Sequence, residues 1–364
     1  MRVVIAPDSF KGSLAAGDAA RALARGWLAR RPADEVRLLP LADGGEGTID
    51  AFAAALPQAK RVTETVRGPN GRTVAADWLQ LPDGSAVIEL AQSSGLPLMR
   101  IPDPLGAHTC GLGAVMRAAM DAGATRLVVG LGGSASTDGG TGALRALGLR
   151  LLDSAGRDLP PGGAALVDLT RIDVGGLLPP PSGGIDVLAD VTAPLAGPTG
   201  AAATFGPQKG AQPDEVELLD RALRRLAEVA GGRPDEPGCG AAGGTAYGLA
   251  TFWGAHIMPG ARTISDLVGM PAALAAADIV VTGEGRFDQT SLTGKVVGSL
   301  LDQAGKAGVP IGVVAGQLAG PVPGSVSEAI SLVDLAGSVA AALDDPAMWL
   351  VEAGTLIAQR LAGN

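Results

Sequence analysis

Strand, glycine-rich loop and helix follow one another twice at the start of this chain and again at its end, and this repetition constrains the fold more than any other feature. The short apolar run Val3–Ala6 leads into the polar loop Pro7–Gly12. Apolar residues at helical spacing follow (Ala20, Leu23, Ala24, Trp27, Leu28) and predict a helix from Ser13 to Arg31, with Ser13 as N-cap and Pro32 as stop. A second strand, Val36–Pro40, runs into Ala42-Asp43-Gly44-Gly45-Glu46-Gly47-Thr48 and another helix. Near the other end come a strand Ala277–Thr282, a polar loop Gly283–Gly294, a helix Lys295–Lys306 and a strand Val309–Ala315. A short strand Ala329–Asp334 and a closing helix Ala347–Leu361 complete the series. This alternation belongs to a parallel α/β sheet. Five strands are the number that a flavodoxin-like sheet needs.

The middle of the chain has another character. Extended segments at Lys60–Gly68, Thr73–Leu81 and Ser85–Ala91 are separated by the turn signals Pro69-Asn70-Gly71-Arg72 and Pro82-Asp83-Gly84, which predict an antiparallel ribbon. A helix Thr109–Ala122, strands Arg126–Gly130 and Ile185–Ala189, and a helix Pro213–Val229 follow. The expectation is a mixed α/β domain spanning 60–260, inserted into a flavodoxin-like domain made of 1–59 and 261–364. The active site is then expected in the cleft between the two domains.

Charge and composition remove several functions. Basic residues number 28 against 37 acidic ones, a net charge of −9, which offers no footprint for nucleic acid or an anionic membrane. Two cysteines and two histidines are too few for a disulfide framework or a structural zinc site. Neither His108 nor His256 lies in a motif for a nucleophilic triad. The opening reaches Pro7 and Asp8 too soon for a signal peptide. One uncharged run of 25 residues, Pro237–Ala261, holds seven glycines and two prolines, and fragments such as Gly238–Gly244 read as loop, so a membrane span is not expected and a cytoplasmic protein is.

Lysine usage is informative. Only five lysines occur, and three of them, Lys11, Lys209 and Lys295, sit in polar or glycine-rich loops. A compact ammonium in such a place suits a phosphoryl oxygen or a substrate carboxylate. Acids recur beside glycines at 43–48, 138–142 and 283–288, and Asp190 stands alone after an apolar strand. Carboxylates at strand ends suit Mg2+, or a base that takes a hydroxyl proton. In open α/β sheets ligands bind outside the carboxyl ends of the strands, where the loops at 8–13, 43–48 and 283–295 are expected to meet. The P-loop pattern is absent. Gly132-Gly133-Ser134-Ala135-Ser136-Thr137-Asp138 follows a strand and could cradle phosphates through its N–H groups.

Taken together, these motifs resemble the bacterial two-domain glycerate kinases. The resemblance is carried by Ile5-Ala6-Pro7-Asp8-Ser9-Phe10-Lys11, by Ala42–Thr48, by Gly130–Gly140, by Phe205-Gly206-Pro207-Gln208-Lys209-Gly210-Ala211 and by Gly283-Glu284-Gly285-Arg286-Phe287-Asp288. It departs at Ala193, where an Asn is usual before the proline. The resemblance implies a phosphotransferase with an alcohol acceptor: ATP and Mg2+ as cofactors, D-glycerate as substrate and 2-phosphoglycerate as the favoured product. Other readings are 3-phosphoglycerate as product, a different small hydroxy acid as substrate, or a sugar-acid sensor.

Roles then follow from chemistry. Asp8, Ser9, Lys11 and Ser13 are expected to hold the glycerate. Asp190 or Asp43 would accept the hydroxyl proton, and Glu46 or Asp288 would help hold Mg2+. Lys209 and Lys295 would neutralise the transferring phosphoryl. Gly132, Gly133, Ser134, Thr137 and Asp138, with Gly283 and Glu284, would surround the nucleotide phosphates.

Overall fold

Strand Arg2–Ile5 lies between Glu35–Leu38 on one side and Ile279–Phe287 on the other, parallel to both. Ile311–Leu318 and Val326–Ser331 extend the sheet beyond Ile279–Phe287, again in parallel. In chain order the five strands are arranged 2-1-3-4-5, the flavodoxin-like order. These are features of a computed structural model that describes residues 1–10, 12–292 and 296–361. The chain divides into two units: Met1–Asp43, Asp50–Pro57 and the chain from Ala261 form the first, and Gly44–Ile49 with Gln58–Gly260 form the second.

In the first unit the three inner strands are largely buried, as their apolar runs require, while the edge strands Glu35–Leu38 and Val326–Ser331 keep polar residues partly exposed. Val3, Ile5, Ile279, Val281 and Val314 pack against Ala19, Leu23 and Trp27 of helix Ala16–Arg30 and against Leu350 and Ile357 of helix Pro346–Leu361. Leu28, expected on the buried face, is exposed. Two further expectations need correction. The segment 283–287 is strand rather than loop, because its backbone pairs with Val314–Leu318. Gly283 is needed there for packing, since a Cβ would stand 2.1 Å from the Val314 carbonyl oxygen. Residues 332–334 are not strand either: Ser331 accepts the Asp334 N–H and starts helix Leu332–Ala336.

The second unit is built on a six-stranded sheet. Its order is His256–Met258, Ile185–Leu188, Arg126–Gly130, Ser85–Glu89, Thr73–Gln80, Lys60–Arg67. The first four strands run parallel and the last two form the antiparallel ribbon. Trp78, Ile88, Val129 and Val187 meet Leu112 and Met116 of helix Cys110–Asp121 and Leu223 and Leu226 of helix Pro213–Ala230 in one core. The uncharged run after Pro237 is not all loop: the span Ala241–Trp253 is helical beyond a kink at its start. Its first residues Ala242, Gly243 and Gly244 are left-handed, and Ala242 is the one positive-φ non-glycine among the described residues. No described helix is long and apolar enough to cross a membrane.

Candidate active site

In the first unit, the loops leaving the carboxyl ends of the parallel strands enclose a cavity of about 390 Å3. Asp8 enters it directly after the first strand, anchored by its N–H to the Gly283 carbonyl at 2.8 Å, and its carboxylate accepts the Ser9 N–H. Phe10 and Leu14 then close a small loop through paired backbone hydrogen bonds. Ser13 donates its hydroxyl to the Phe10 carbonyl at 2.9 Å, and the helix starts only at Ala16 behind Ala15. Ser13 is therefore not the N-cap: the tight 10–14 loop claims its hydroxyl first. Asp43, half-buried, arrives from the second strand. Glu284, Arg286 and Asp288 come from the third strand and the turn after it, Gln317 from the fourth.

Electrostatics here are dominated by acids. Asp288 accepts the Thr290 hydroxyl at 2.7 Å and the Thr290 N–H at 2.8 Å, and Arg286 adds an ion pair at 3.2 Å. Hydrogen bonds from Thr290, then the Arg286 guanidinium, hold the Asp288 carboxyl below its usual range, so it is anionic at neutral pH. Arg286 also reaches the Gln317 side-chain oxygen.

The cavity thus brings together Asp8, Ser9, Ser13, Asp43, Glu284 and Asp288 of the residues expected from sequence. It does not include Gly283, which is spent in the sheet. Lys11 and Lys295 lie outside the described residues. Arg286, Thr290, Gln317 and an aliphatic wall between 332 and 346 are additions that sequence reasoning did not supply.

The other expected residues lie in the second unit, around two glycine loops. The 44–49 loop touches the 130–133 loop backbone to backbone: Gly132 N–H donates to the Gly44 carbonyl at 3.1 Å. A Cβ on Gly130 would lie 2.4 Å from that carbonyl oxygen, and one on Gly132 would lie 2.3 Å from the Gly45 Cα. Beneath them the buried Glu89 accepts the Gly47 and Ile49 N–H groups at 3.2 Å each. A lone acid closing an apolar strand was the available signal for Glu89, the same that marks Asp190. Glu46 itself is exposed.

Asp138 is buried, and its carboxylate accepts the Thr109 N–H and hydroxyl and the N–H groups of Gly140 and Gly142. Donors of the loop are also used internally: Ala135 N–H goes to Ser94 and Gly139 N–H to Gly243. The stretch 132–138 expected to cradle phosphates therefore spends the N–H groups of Gly132 and Ala135 on the fold, while Thr137 is wholly buried and Gly133 is exposed. Asp190 accepts the Gly260 N–H at 2.7 Å, next to the point where the chain leaves this unit. Ala193, the departure from the family pattern, contributes its carbonyl to Gly240 N–H.

Lys209 is only 2% exposed, with its ammonium donating to the Ser134 hydroxyl at 2.9 Å and to the Ser136 carbonyl. Burial pushes its pKa down to about 8, with Asp138 opposing. In the unfolded chain the same group titrates near 10.5. Between those values the unfolded state holds the extra proton, so unfolding free energy rises with pH across that window, and below it the burial cost is carried in full. Measured against Lys209→Met by denaturant midpoint, the wild type is expected to gain up to about 3 kcal/mol from pH 8 to 10.5. A flat difference would mean that the ammonium is not desolvated.

Comparison with known proteins completes the description. A family model described as the glycerate kinase family matches residues 3–362. A glycerate kinase of Bacillus subtilis (strain 168) is 42% identical over 87% of this chain and 85% of its own. A glycerate 2-kinase of Escherichia coli (strain K12) is 40% identical over 87% and 86%. A crystal structure of a Salmonella typhimurium LT2 protein assigned as glycerate kinase 2 superposes with a TM-score of 0.87 at 38% identity, covering 100% of this chain and 98% of that one. A profile that runs almost end to end, together with relatives near 40% identity, means that this chain belongs to the glycerate kinase family.

Proposed function

We propose that the protein transfers the γ-phosphoryl group of ATP to D-glycerate, giving 2-phosphoglycerate. The observation that carries this reading is the cavity at the carboxyl edge of the five-stranded sheet, where Asp8, Ser9, Ser13, Asp43, Glu284 and Asp288 converge in a chain of this family. The relative named glycerate 2-kinase supports the choice of hydroxyl.

A hydroxyl is a weak nucleophile, so positioning and charge neutralisation supply most of the rate. Asp43 takes the acceptor's proton; Asp190, the other candidate, is held by Gly260 and does not line this cavity. Ser9, with Lys11 two residues on in sequence, orients the acceptor's carboxylate. Arg286 brings positive charge to the same cavity, and Lys295 is the further cation assigned to the phosphoryl.

Mg2+ takes one or two carboxylates and completes its shell with water and phosphate oxygens. Asp8, Asp43, Glu284 and Asp288 line this one cavity; among the described residues no three acids, histidines or cysteines are grouped to hold a metal by themselves, but one or two carboxylates are all that Mg2+ requires here. Asp288 suits it best, being held anionic, with Glu284 next. When bound, the ion offsets negative charge on the phosphates.

A ³¹P NMR spectrum of protein, D-glycerate, ATP and Mg2+ tests the proposal. The expected result is a new phosphomonoester resonance matching 2-phosphoglycerate. A resonance of 3-phosphoglycerate would overturn the regiochemistry, and no product from a folded protein would overturn the kinase reading.

A further inference from the structure

One end of the cavity has no use for a three-carbon acceptor. Its wall is wholly aliphatic: Leu332, Val333, Val339, Ala342, Leu343 and Pro346. Leu332 and Ala342 are buried and belong to the core, but Val339 is 52% exposed and Leu343 58% exposed. Positions 339 and 343 are one helical turn apart on Val339–Asp344, so the two side chains share a face. Single exposed aliphatic residues are common, whereas a paired set lining a concave site marks a surface that something apolar covers.

Resting on the kinase reading above, we infer that this aliphatic wall takes the nucleobase of the phosphoryl donor. Glycerate is a small polar acid with almost no apolar surface to offer. A cavity of about 390 Å3 falls within the range of about 300–1,000 Å3 typical of pockets that enclose whole small-molecule ligands, too much for glycerate alone. Of the donor's parts, the triphosphate and ribose are polar, and the faces of the base are its one extended apolar surface. The acids Asp8, Asp43, Glu284 and Asp288 come from the first three strands and serve the polar parts, and the wall that follows the fifth strand, at the sheet's other edge, serves the base. None of the wall side chains carries a hydrogen-bond donor or acceptor, so the base is held by its ring faces.

The test is calorimetric titration of the full-length protein with ADP and, separately, with inorganic tripolyphosphate, a probe that has the phosphates and no base. The variants are Leu343→Asn and Val339→Asn, neutral changes at half-exposed positions whose folding is checked by thermal melting. The expected result is a tenfold or greater rise in the Kd of ADP in each variant, about 1.4 kcal/mol, with tripolyphosphate binding within twofold of the wild type. Unchanged ADP binding would overturn the inference. So would equal weakening of both ligands, or a wild type that does not bind ADP. A wild type that binds ADP with this pattern and yields no phosphoglycerate would overturn the kinase reading and leave the wall assigned.

Discussion

Replacing Asp43 with Asn is expected to lower kcat by a hundredfold or more, with both KM values within a few-fold of the wild type. The amide keeps the size and a polar atom but cannot take a proton, and general-base catalysis is worth about 10²–10⁴ in rate. Asp43 is the first candidate because it lines the cavity that also holds Asp8, Glu284 and Asp288. Asp190→Asn makes the opposite comparison. Its carboxylate accepts the Gly260 N–H, a hydrogen bond the amide oxygen can still accept, so kcat is expected to stay within about threefold. Steady-state kinetics at saturating ATP and glycerate decide the matter. If Asp43→Asn keeps more than a tenth of its kcat while Asp190→Asn collapses, the two roles are exchanged.

Gly132→Ala is expected to damage both stability and turnover through one added carbon. The new Cβ would sit 2.3 Å from the Gly45 Cα, backbone against backbone, so neither side can rotate away. Overpacking of this kind costs about 1–3 kcal/mol. The strain falls on the loop that starts directly after Asp43, so a tenfold or larger fall in kcat accompanies the lower melting temperature. Gly305→Ala is the contrasting substitution: it lies in helix Val296–Ala307, where a Cβ meets nothing within 4 Å. Replacing glycine by alanine inside an open helix adds up to about 1 kcal/mol of stability, and activity should not change. Equal activity in Gly132→Ala and the wild type would show that the two loops can separate without consequence.

Much of the candidate site was legible because its residues obey a positional rule. Asp8 and Asp43 follow the first two strands and Glu284 lies in the carboxyl-terminal half of the third, and once those strands are read as parallel their ends must gather at one edge. Acids beside glycines look alike in sequence, however, and only packing separates them. Asp138 is buried under four donors, Glu46 faces outward, and Asp288 lines the cavity. Lys209 was conspicuous as a loop lysine, but nothing in its neighbours foretold that its ammonium would be enclosed by Ser134 and Ser136. The aliphatic wall was hidden for a simpler reason. Apolar spacing in 332–346 fits a core-facing helix and a cavity-facing one equally well. The strand ends at 283–287 were misjudged because glycine, which usually signals a turn, is there demanded by the neighbouring strand.

The placing of strand Arg2–Ile5 inside its sheet, one strand from the edge, has a consequence for how the protein is made. Its neighbour Ile279–Phe287 leaves the ribosome long after it, since the whole second unit is translated in between. At elongation rates of about 5–20 residues per second that interval is roughly ten to fifty seconds, far longer than most domains need to fold. During that time the first two strands have only each other, with one parallel edge open, while the later unit acquires its complete core. The domain begun first is therefore completed last, and its open edge is the point at which a nascent chain would be held by a chaperone or lost to aggregation.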